Sequence, residues 1–337
     1  MRRALVIAPN WIGDALMAQP LFSRLVKLHP RIQIDALAPT WVAPVLERMP
    51  EIRDVYATDL AHGKLQLLRR WQLAGDLRAE RYDAVYVLPN SLKSALIPWL
   101  ASIPLRIGYT GESRYGLLNV RHANPPKGER APMVKHYAAL AYAPGATVPD
   151  DLPMPRLESD PNEASRVSAR FNLDTRVPLL VFCPGAEYGP AKRWPARHFA
   201  DLARTYAGRG WQVWLLGTGK DAPVTAEIRA QSGEACVDLA GRTSLDEAID
   251  LLAAAARVAT NDSGLMHIAA ALDRPTAAIF GSSSPEFTPP LSAHARVVTL
   301  RLSCSPCFAR ECPLGHTNCL VQLEPARVLA TLDELTD

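Results

Sequence analysis

Between the apolar runs Arg257 to Thr260 and Leu265 to Leu272 stands the tetrapeptide Asn261-Asp262-Ser263-Gly264, and a further apolar run, Thr276 to Phe280, follows. The pattern predicts strand, turn, helix and strand. Asp262 or Ser263 can cap the helix, and Gly264 has no side chain to keep a ligand off the first-turn N–H groups. The turn therefore suits a plain cap or an anion such as phosphate. His267 lies four residues after Ser263, one helical turn along, where it either reaches the same turn or packs as a core histidine. A second stretch, PGAEYGPAKRWP, follows the run Leu179 to Cys183. Gly185 and Gly189 open the backbone, Lys192 and Arg193 supply positive charge, and Pro195 suits the first turn of a helix. Lys192 is either a pyrophosphate ligand at a strand's carboxyl edge or a solvated loop lysine. In the first half, Pro9-Asn10-Trp11-Ile12-Gly13-Asp14 reads as the turn after the strand Ala4 to Ala8. Gly13 permits a tight turn, and Asp14 at the carboxyl end of the strand is an N-cap or a catalytic carboxylate.

Cys304, Cys307, Cys312 and Cys319, with His316 among them, crowd into CSPCFARECPLGHTNC. CxxC followed by more Cys and His fits a local, structural zinc site better than a catalytic one. Against zinc, the second pair is spaced CxxxxxxC, so free reduced thiols are the other reading. Cys183 and Cys236 lie in apolar surroundings and read as reduced core thiols. There is no GxxxxGK[ST] and no GxGxxG after the first strand, which removes support for a kinase, a P-loop NTPase or an ordinary NAD dehydrogenase.

The elements that must position these residues alternate along the chain. After the first strand a helix is predicted from about Ala15 towards Leu28, then strands at Ile32 to Leu37, Val55 to Ala57 and Ala84 to Leu88, with helical segments between them. Residues 64 to 81 carry Lys64, Arg69, Arg70, Arg78 and Arg81 against Asp76 and Glu80, a solvated helix face or a surface for a phosphorylated substrate. Residues 108 to 132 read as a long irregular loop, unusual unless it binds something. The proline-rich segment 143 to 162 reads as an interdomain linker. Alternation then resumes with strands at Leu179 to Cys183, Gln212 to Leu216 and Val237 to Leu239, helices from about Pro195, from about Ala222 and at Leu245 to Ala256, and a last helix at Glu324 to Leu335. The fold class expected is α/β, two Rossmann-like doubly wound domains facing a central cleft lined by carboxyl strand ends.

At 337 residues the chain exceeds what one core usually holds, so two domains are expected. The formal net charge of +3 is too small to point to nucleic acid. No run of about 20 apolar residues occurs, and the amino terminus shows no export signal. A cytoplasmic protein is expected, with any membrane contact peripheral.

Taken together, PNWIGDALMAQPL, RIGYTGESRYGLLN, CPGAEYGPAKRWP, TNDSGLMHIAAAL and FGSSSPEFTPPLS resemble the ADP-heptose:lipopolysaccharide heptosyltransferases, and TGESRYGLLN and PGAEYGPAKRWP look like the type II pattern. The resemblance implies a B-type glycosyltransferase fold: residues 1–150 as an acceptor-binding domain, 151–322 as an ADP-sugar-binding domain, and 323–337 as a helix returning towards the first domain. It implies transfer of L-glycero-D-manno-heptose from ADP-heptose onto the first heptose of the inner core of a heptosyl-Kdo-lipid A acceptor, with inversion and without a required metal. Asp14 matches the family's base and Lys192 its diphosphate contact; Asp262, Ser263 and Gly264 match the donor turn, with His267 beside it. Gly13, Ala186 and Glu187 fall in the matching substrate-binding stretches. Asp221 is the best match for a ribose contact, with Lys220 left open by the spacing, and backbone near Arg242 and Thr243 should approach the adenine. The resemblance also implies work at the cytoplasmic face of the inner membrane. The same fold serves type I heptosyltransferases, nucleotide-sugar epimerases and non-catalytic nucleotide-binding proteins, which stand as alternatives.

Overall fold

The computed structural model describes residues 1–60, 64–126 and 129–335. The chain divides into two compact units, Met1–Pro155 and Arg156–Asp337, so the division falls inside the expected linker, five residues beyond the expected boundary.

The first unit runs β1 (Arg3–Ile7), α1 (Ile12–Leu28), β2 (Gln33–Pro39), α2 (Ala43–Glu47), β3 (Ile52–Thr58), α3 (Leu67–Ala79), β4 (Ala84–Val87), α4 (Leu92–Leu100), β5 (Leu105–Tyr109), β6 (Val120–His122) and α5 (Met133–Ala138). Its strands form one parallel sheet in the order β3-β2-β1-β4-β5-β6. Runs such as Ala84-Val85-Tyr86-Val87 are buried on both faces, as helix-covered parallel strands require. The chain leaves β1 towards β2 on one side while β4 pairs on the other, so a crevice opens at the carboxyl end of β1.

The second unit runs α6 (Pro161–Arg170), β7 (Leu179–Cys183), α7 (Ala196–Gly208), β8 (Gln212–Leu215), α8 (Ala222–Gln231), β9 (Val237–Asp238), α9 (Leu245–Ala253), β10 (Arg257–Asn261), α10 (Gly264–Ala271), β11 (Thr276–Ile279), β12 (Ala295–Val298), α11 (Asn318–Val321) and α12 (Pro325–Glu334). Its sheet order, β9-β8-β7-β10-β11-β12, repeats that of the first unit, and its switch point lies between β7 and β10. In its core Phe199 meets Trp194 edge-on and Phe182 at a tilt, with ring centroids 4.9 and 5.2 Å away.

Several sequence expectations are corrected here. Helix α1 begins at Ile12, so Gly13 and Asp14 lie in its first turn rather than in the preceding loop. The stretch 108 to 132 is less irregular than its glycines and charges suggest: it carries the end of β5 and all of β6, although residues 127 and 128 lie outside the described residues. Arg114, 1% exposed, organises it by donating to the carbonyls of Tyr109 and Pro89 and to Asn90 Oδ1. The terminal helix packs its apolar face on the second unit: Val328, Leu332 and Leu335 join that core, and Asp333 accepts from Tyr206 at 3.0 Å and Arg257 at 2.8 Å. Residues 336 and 337 of the expected span 323–337 lie outside the described residues.

Candidate functional site

In the second unit the sequence-predicted residues gather where strands β7 and β10 end side by side. Cys183 is in register with Thr260, so the turns that follow the two strands leave the sheet together. Lys192 lies in a short 3₁₀ turn after β7, and its Nζ donates to Asp262 Oδ2 at 2.5 Å, with side chains 18% and 5% exposed. The ammonium also stands 5.3 Å from the centre of the Tyr188 ring. The Asp-Ser-Gly turn does not cap α10 as anticipated: Ser263 occupies the N-cap position without a side-chain cap bond, and Asp262 is engaged by Lys192. Ser263 Oγ is buried without a partner. An uncapped helix start beside a lysine favours negative charge. His267 is buried, and burial pushes its imidazole down to about 4, with Asp262 opposing and Lys192 reinforcing the shift. At neutral pH it is therefore uncharged.

The remaining second-unit candidates line the same carboxyl edge in distinct settings. Ala186 is buried and its carbonyl faces Arg193, while Glu187 is exposed and paired with Lys220 at 2.5 Å. Asp221 is buried, not free. Its carboxylate accepts the backbone N–H and hydroxyl of Thr218, each at 2.9 Å, in a capping box, and packs on Gly185, where a Cβ would come within 2.5 Å of it. Thr243 is half-buried just before Ser244, the N-cap of α9.

The side chains that hold this site carry no sequence motif of their own. Asn261, placed by its sequence in a polar turn, is the fully buried last residue of β10. It accepts the N–H of Trp194 at 3.1 Å and donates to the Pro184 carbonyl at 2.6 Å, stitching both ends of the lysine turn to β10. Trp194 donates its indole N–H to the Leu323 carbonyl at 2.7 Å. A polar amide closing an apolar strand is the available signal, because burial obliges it to find partners.

In the first unit Asp14 sits at the start of α1, at the carboxyl end of β1 and beside the switch point. The buried Tyr137 of α5 hydrogen-bonds Asp14, and burial with the adjacent carboxylate raises that phenol well above its usual range. Tyr109 stacks on His136 with centroids 3.8 Å apart, and burial pushes His136 down to about 4. The four clustered cysteines are free: Cys319 is buried, Cys304 and Cys312 half-buried and Cys307 exposed. Among the described residues no group of three or more His, Cys, Asp or Glu stands ready to hold a metal ion.

Two doubly wound α/β units, one with a carboxylate and one with a lysine and a bare helix start at their switch points, make up the chain. The model of glycosyltransferase family 9 (heptosyltransferase) matches residues 70–318. Lipopolysaccharide heptosyltransferase 2 of Salmonella typhimurium is 44% identical, covering 99% of this chain and 98% of its own, and that of Escherichia coli K12 is 45% identical over the same shares. The solved structure of E. coli ADP-heptose LPS heptosyltransferase II superposes with a TM-score of 0.88 at 43% identity, covering 99% of this chain and 98% of its own. The chain belongs to the heptosyltransferases of glycosyltransferase family 9.

Two outcomes follow from this packing. Gly185→Ala should destabilise the protein by about 1–3 kcal/mol through overpacking against Asp221, and Asp221→Ala added to it should cost less than the two changes summed. Additive denaturation midpoints would remove the contact. His136 and His267 have folded values near 4, below the ordinary value of 6.5, so the unfolded chain binds protons more readily. Their contribution is present above pH 6.5 and is lost as pH falls towards 4, with a slope of up to about 1.4 kcal/mol per pH unit for each. Thermal melts of His267→Gln should show a shallower acid slope than the parent; equal slopes would contradict a neutral buried His267.

Proposed function

We propose that the chain transfers L-glycero-D-manno-heptose from ADP-heptose to the first heptose of the lipopolysaccharide inner core, with inversion at the anomeric carbon. The observation that carries this reading is the near-full-length identity to type 2 enzymes, with Lys192, Asp262 and the bare start of α10 gathered at one switch point. In a single displacement the acceptor oxygen bonds to the anomeric carbon as the bond to the diphosphate oxygen breaks and its electron pair leaves with ADP. Asp14 takes the acceptor hydroxyl proton, held in orientation by Tyr137. Lys192 and the first-turn N–H groups of α10 receive the charge that grows on the leaving group, the task a metal performs in other transferases, so no metal is needed for this step. Asp262 aims the lysine, and neutral His267 adds no competing charge. Asp221, Ala186, Glu187 and Thr243 line the edge where the nucleoside binds, and Gly13 precedes Asp14 in the first turn of α1.

The acceptor is anchored in a lipid surface, and no helix among the described residues is long and apolar enough to cross a membrane. Helix α3 supplies a peripheral contact instead. Leu67, Leu68 and Trp71 are 55%, 80% and 65% exposed. Arg69 and Arg78 are exposed on the same helix, and Trp99 is exposed on α4, which packs against it. Apolar side chains interleaved with arginines suit the headgroup layer of an anionic bilayer, here the cytoplasmic face of the inner membrane.

With purified ADP-heptose and an acceptor bearing the first heptose, Lys192→Ala should lower kcat/KM by roughly 10²-fold. Asp14→Asn should lower kcat by about 10²–10⁴-fold with ADP binding retained. An acceptor lacking the first heptose should not react; faster transfer to that acceptor would assign the type I reaction instead. Flotation with phosphatidylglycerol-containing vesicles should recover the parent protein, and Leu68→Glu with Trp71→Glu should stay in the soluble fraction while still acting on a delipidated acceptor. Unaltered flotation would discard α3 as the contact.

A further inference from the structure

Residues 299–317, between β12 and α11, contain no helix or strand. A connection of this length is uncommon in a compact domain unless it carries function. Its own apolar side chains contribute little, since Phe308 and Leu314 are 55% and 61% exposed. Backbone and polar contacts place it instead. Phe308 adopts φ +55°, a left-handed conformation that a bulky side chain rarely takes. Both of its backbone groups are bonded there: its N–H donates to the Ser282 carbonyl at 2.7 Å, and its carbonyl accepts the Tyr188 hydroxyl at 2.9 Å. Two residues on, the Arg310 carbonyl accepts the Ala191 N–H at 3.0 Å, and Gly189 lies so close that a Cβ there would collide with the same carbonyl. The segment thus grips the Lys192 turn by backbone, and one of its holds is Arg310 itself.

That hold sets where the Arg310 side chain stands. Its guanidinium carbon lies 5.1 Å from the centre of the Tyr188 ring, and the Lys192 ammonium lies 5.3 Å from the same centre. Two cations share one aromatic ring. Lys192 is paired with Asp262, but among the described residues no carboxylate stands within ion-pair distance of the Arg310 guanidinium. Arg310 is exposed and open to a ligand, whereas Arg193, the other arginine of this corner, stands 3.9 Å from Asp221. Like charges gathered on one ring repel each other, and the ring's negative face offsets only part of that repulsion. An anion bound beside them removes it. The uncapped start of α10, whose N-cap Ser263 follows Asp262, adds partial positive charge to the same corner.

We propose that Arg310 binds the diphosphate of the nucleotide sugar as a second cation beside Lys192, with the Tyr188 ring spacing the two. The inference rests on the donor-site reading above. A planar guanidinium offers paired N–H donors to two phosphate oxygens, a geometry that a single ammonium cannot supply. Lys192 is aimed by Asp262, while Arg310, without a carboxylate of its own, brings uncompensated charge. Arg310 meets the diphosphate in the bound donor and in ADP alike, so its contribution falls on KM more than on kcat.

Calorimetric titration of the full chain with ADP and with adenosine, which lacks the diphosphate, tests the assignment. Arg310→Ala and Arg310→Gln should each weaken ADP binding roughly tenfold and leave adenosine binding as in the parent. Arg310→Lys should fall between these variants and the parent, and Arg310→Glu should weaken ADP binding further, because the sign of the charge decides the effect. Added salt should lower ADP affinity less in Arg310→Ala than in the parent. In transfer assays the KM for ADP-heptose should rise by a similar factor, with kcat held within about twofold. Circular dichroism melts of these variants, each altered at an exposed side chain, should match the parent's. Equal losses of ADP and adenosine affinity, or Gln and Lys variants that behave alike, would make Arg310 a packing group of the turn and overturn the proposal. ADP affinity unchanged in every variant, with the parent binding ADP, would overturn it alone. A parent chain that binds neither ADP nor ADP-heptose would instead sink the donor-site reading, and the inference with it.

Discussion

The Lys192 turn of the second unit depends on one buried amide. Asn261 ends an otherwise apolar strand and satisfies itself only by bonding both ends of the turn that follows β7, through Trp194 N–H and the Pro184 carbonyl. Leaving such a group unpaired in the core costs about 1–3 kcal/mol, so strand end and turn are held together by the penalty of separating them. The next residue, Asp262, then meets Lys192 at 2.5 Å. Strand order supplies the rest: β7 and β10 are neighbours whose chains depart in opposite directions, which leaves their carboxyl ends open to a ligand.

That stitching has an electrostatic consequence. A diphosphate would be repelled by free carboxylates, and the edge of this sheet is rich in them. Three of them stand beside a cation: Asp262 beside Lys192, Asp221 beside Arg193 at 3.9 Å and Glu187 beside Lys220. His267 is neutral because burial opposes its charge more strongly than Asp262 supports it. The field left for an arriving anion is that of an uncapped helix start beside an ion pair whose ammonium is already held in direction. In the proposed transfer little reorganisation would then remain as charge moves onto the leaving group, the condition under which such groups stabilise it most.

Much of this was legible in the sequence, for identifiable reasons. The strands β1, β4, β7 and β10 are short apolar runs followed by polar turns, so their places emerged to within a residue or two, and alternation with helices gave the parallel architecture. Strands β5 and β6 did not emerge, because LRIGY and VRH carry arginine, glycine and histidine and lie at one side of the sheet. Their loop looked unstructured until Arg114 proved to be buried, donating to backbone carbonyls that sequence spacing cannot identify. The cap at Ser263 failed for a different cause. Its residue type suits a cap, but the side chain makes no such bond and the adjacent Asp262 is drawn to a lysine 70 residues away.

The contrast between groups that react and groups that hold them has a physical origin. The groups proposed to react, a base, an ammonium and a bare helix start, are restricted in kind by the chemistry, so Asp14, Lys192 and Gly264 stand out in short motifs. Their holders are restricted only by reach. Tyr137 finds Asp14 through the packing of α5 on α1, Trp194 finds Leu323 through the core, and Tyr188 meets Arg310 from a segment more than a hundred residues later. Each of these contacts is to a carboxylate, a backbone carbonyl or a ring available at many positions, and tertiary packing selects the one that is used. The cysteine segment falls between the two kinds: its thiols announce themselves by type and spacing, while its grip on the Lys192 turn is made by backbone and is visible only once the chain has folded.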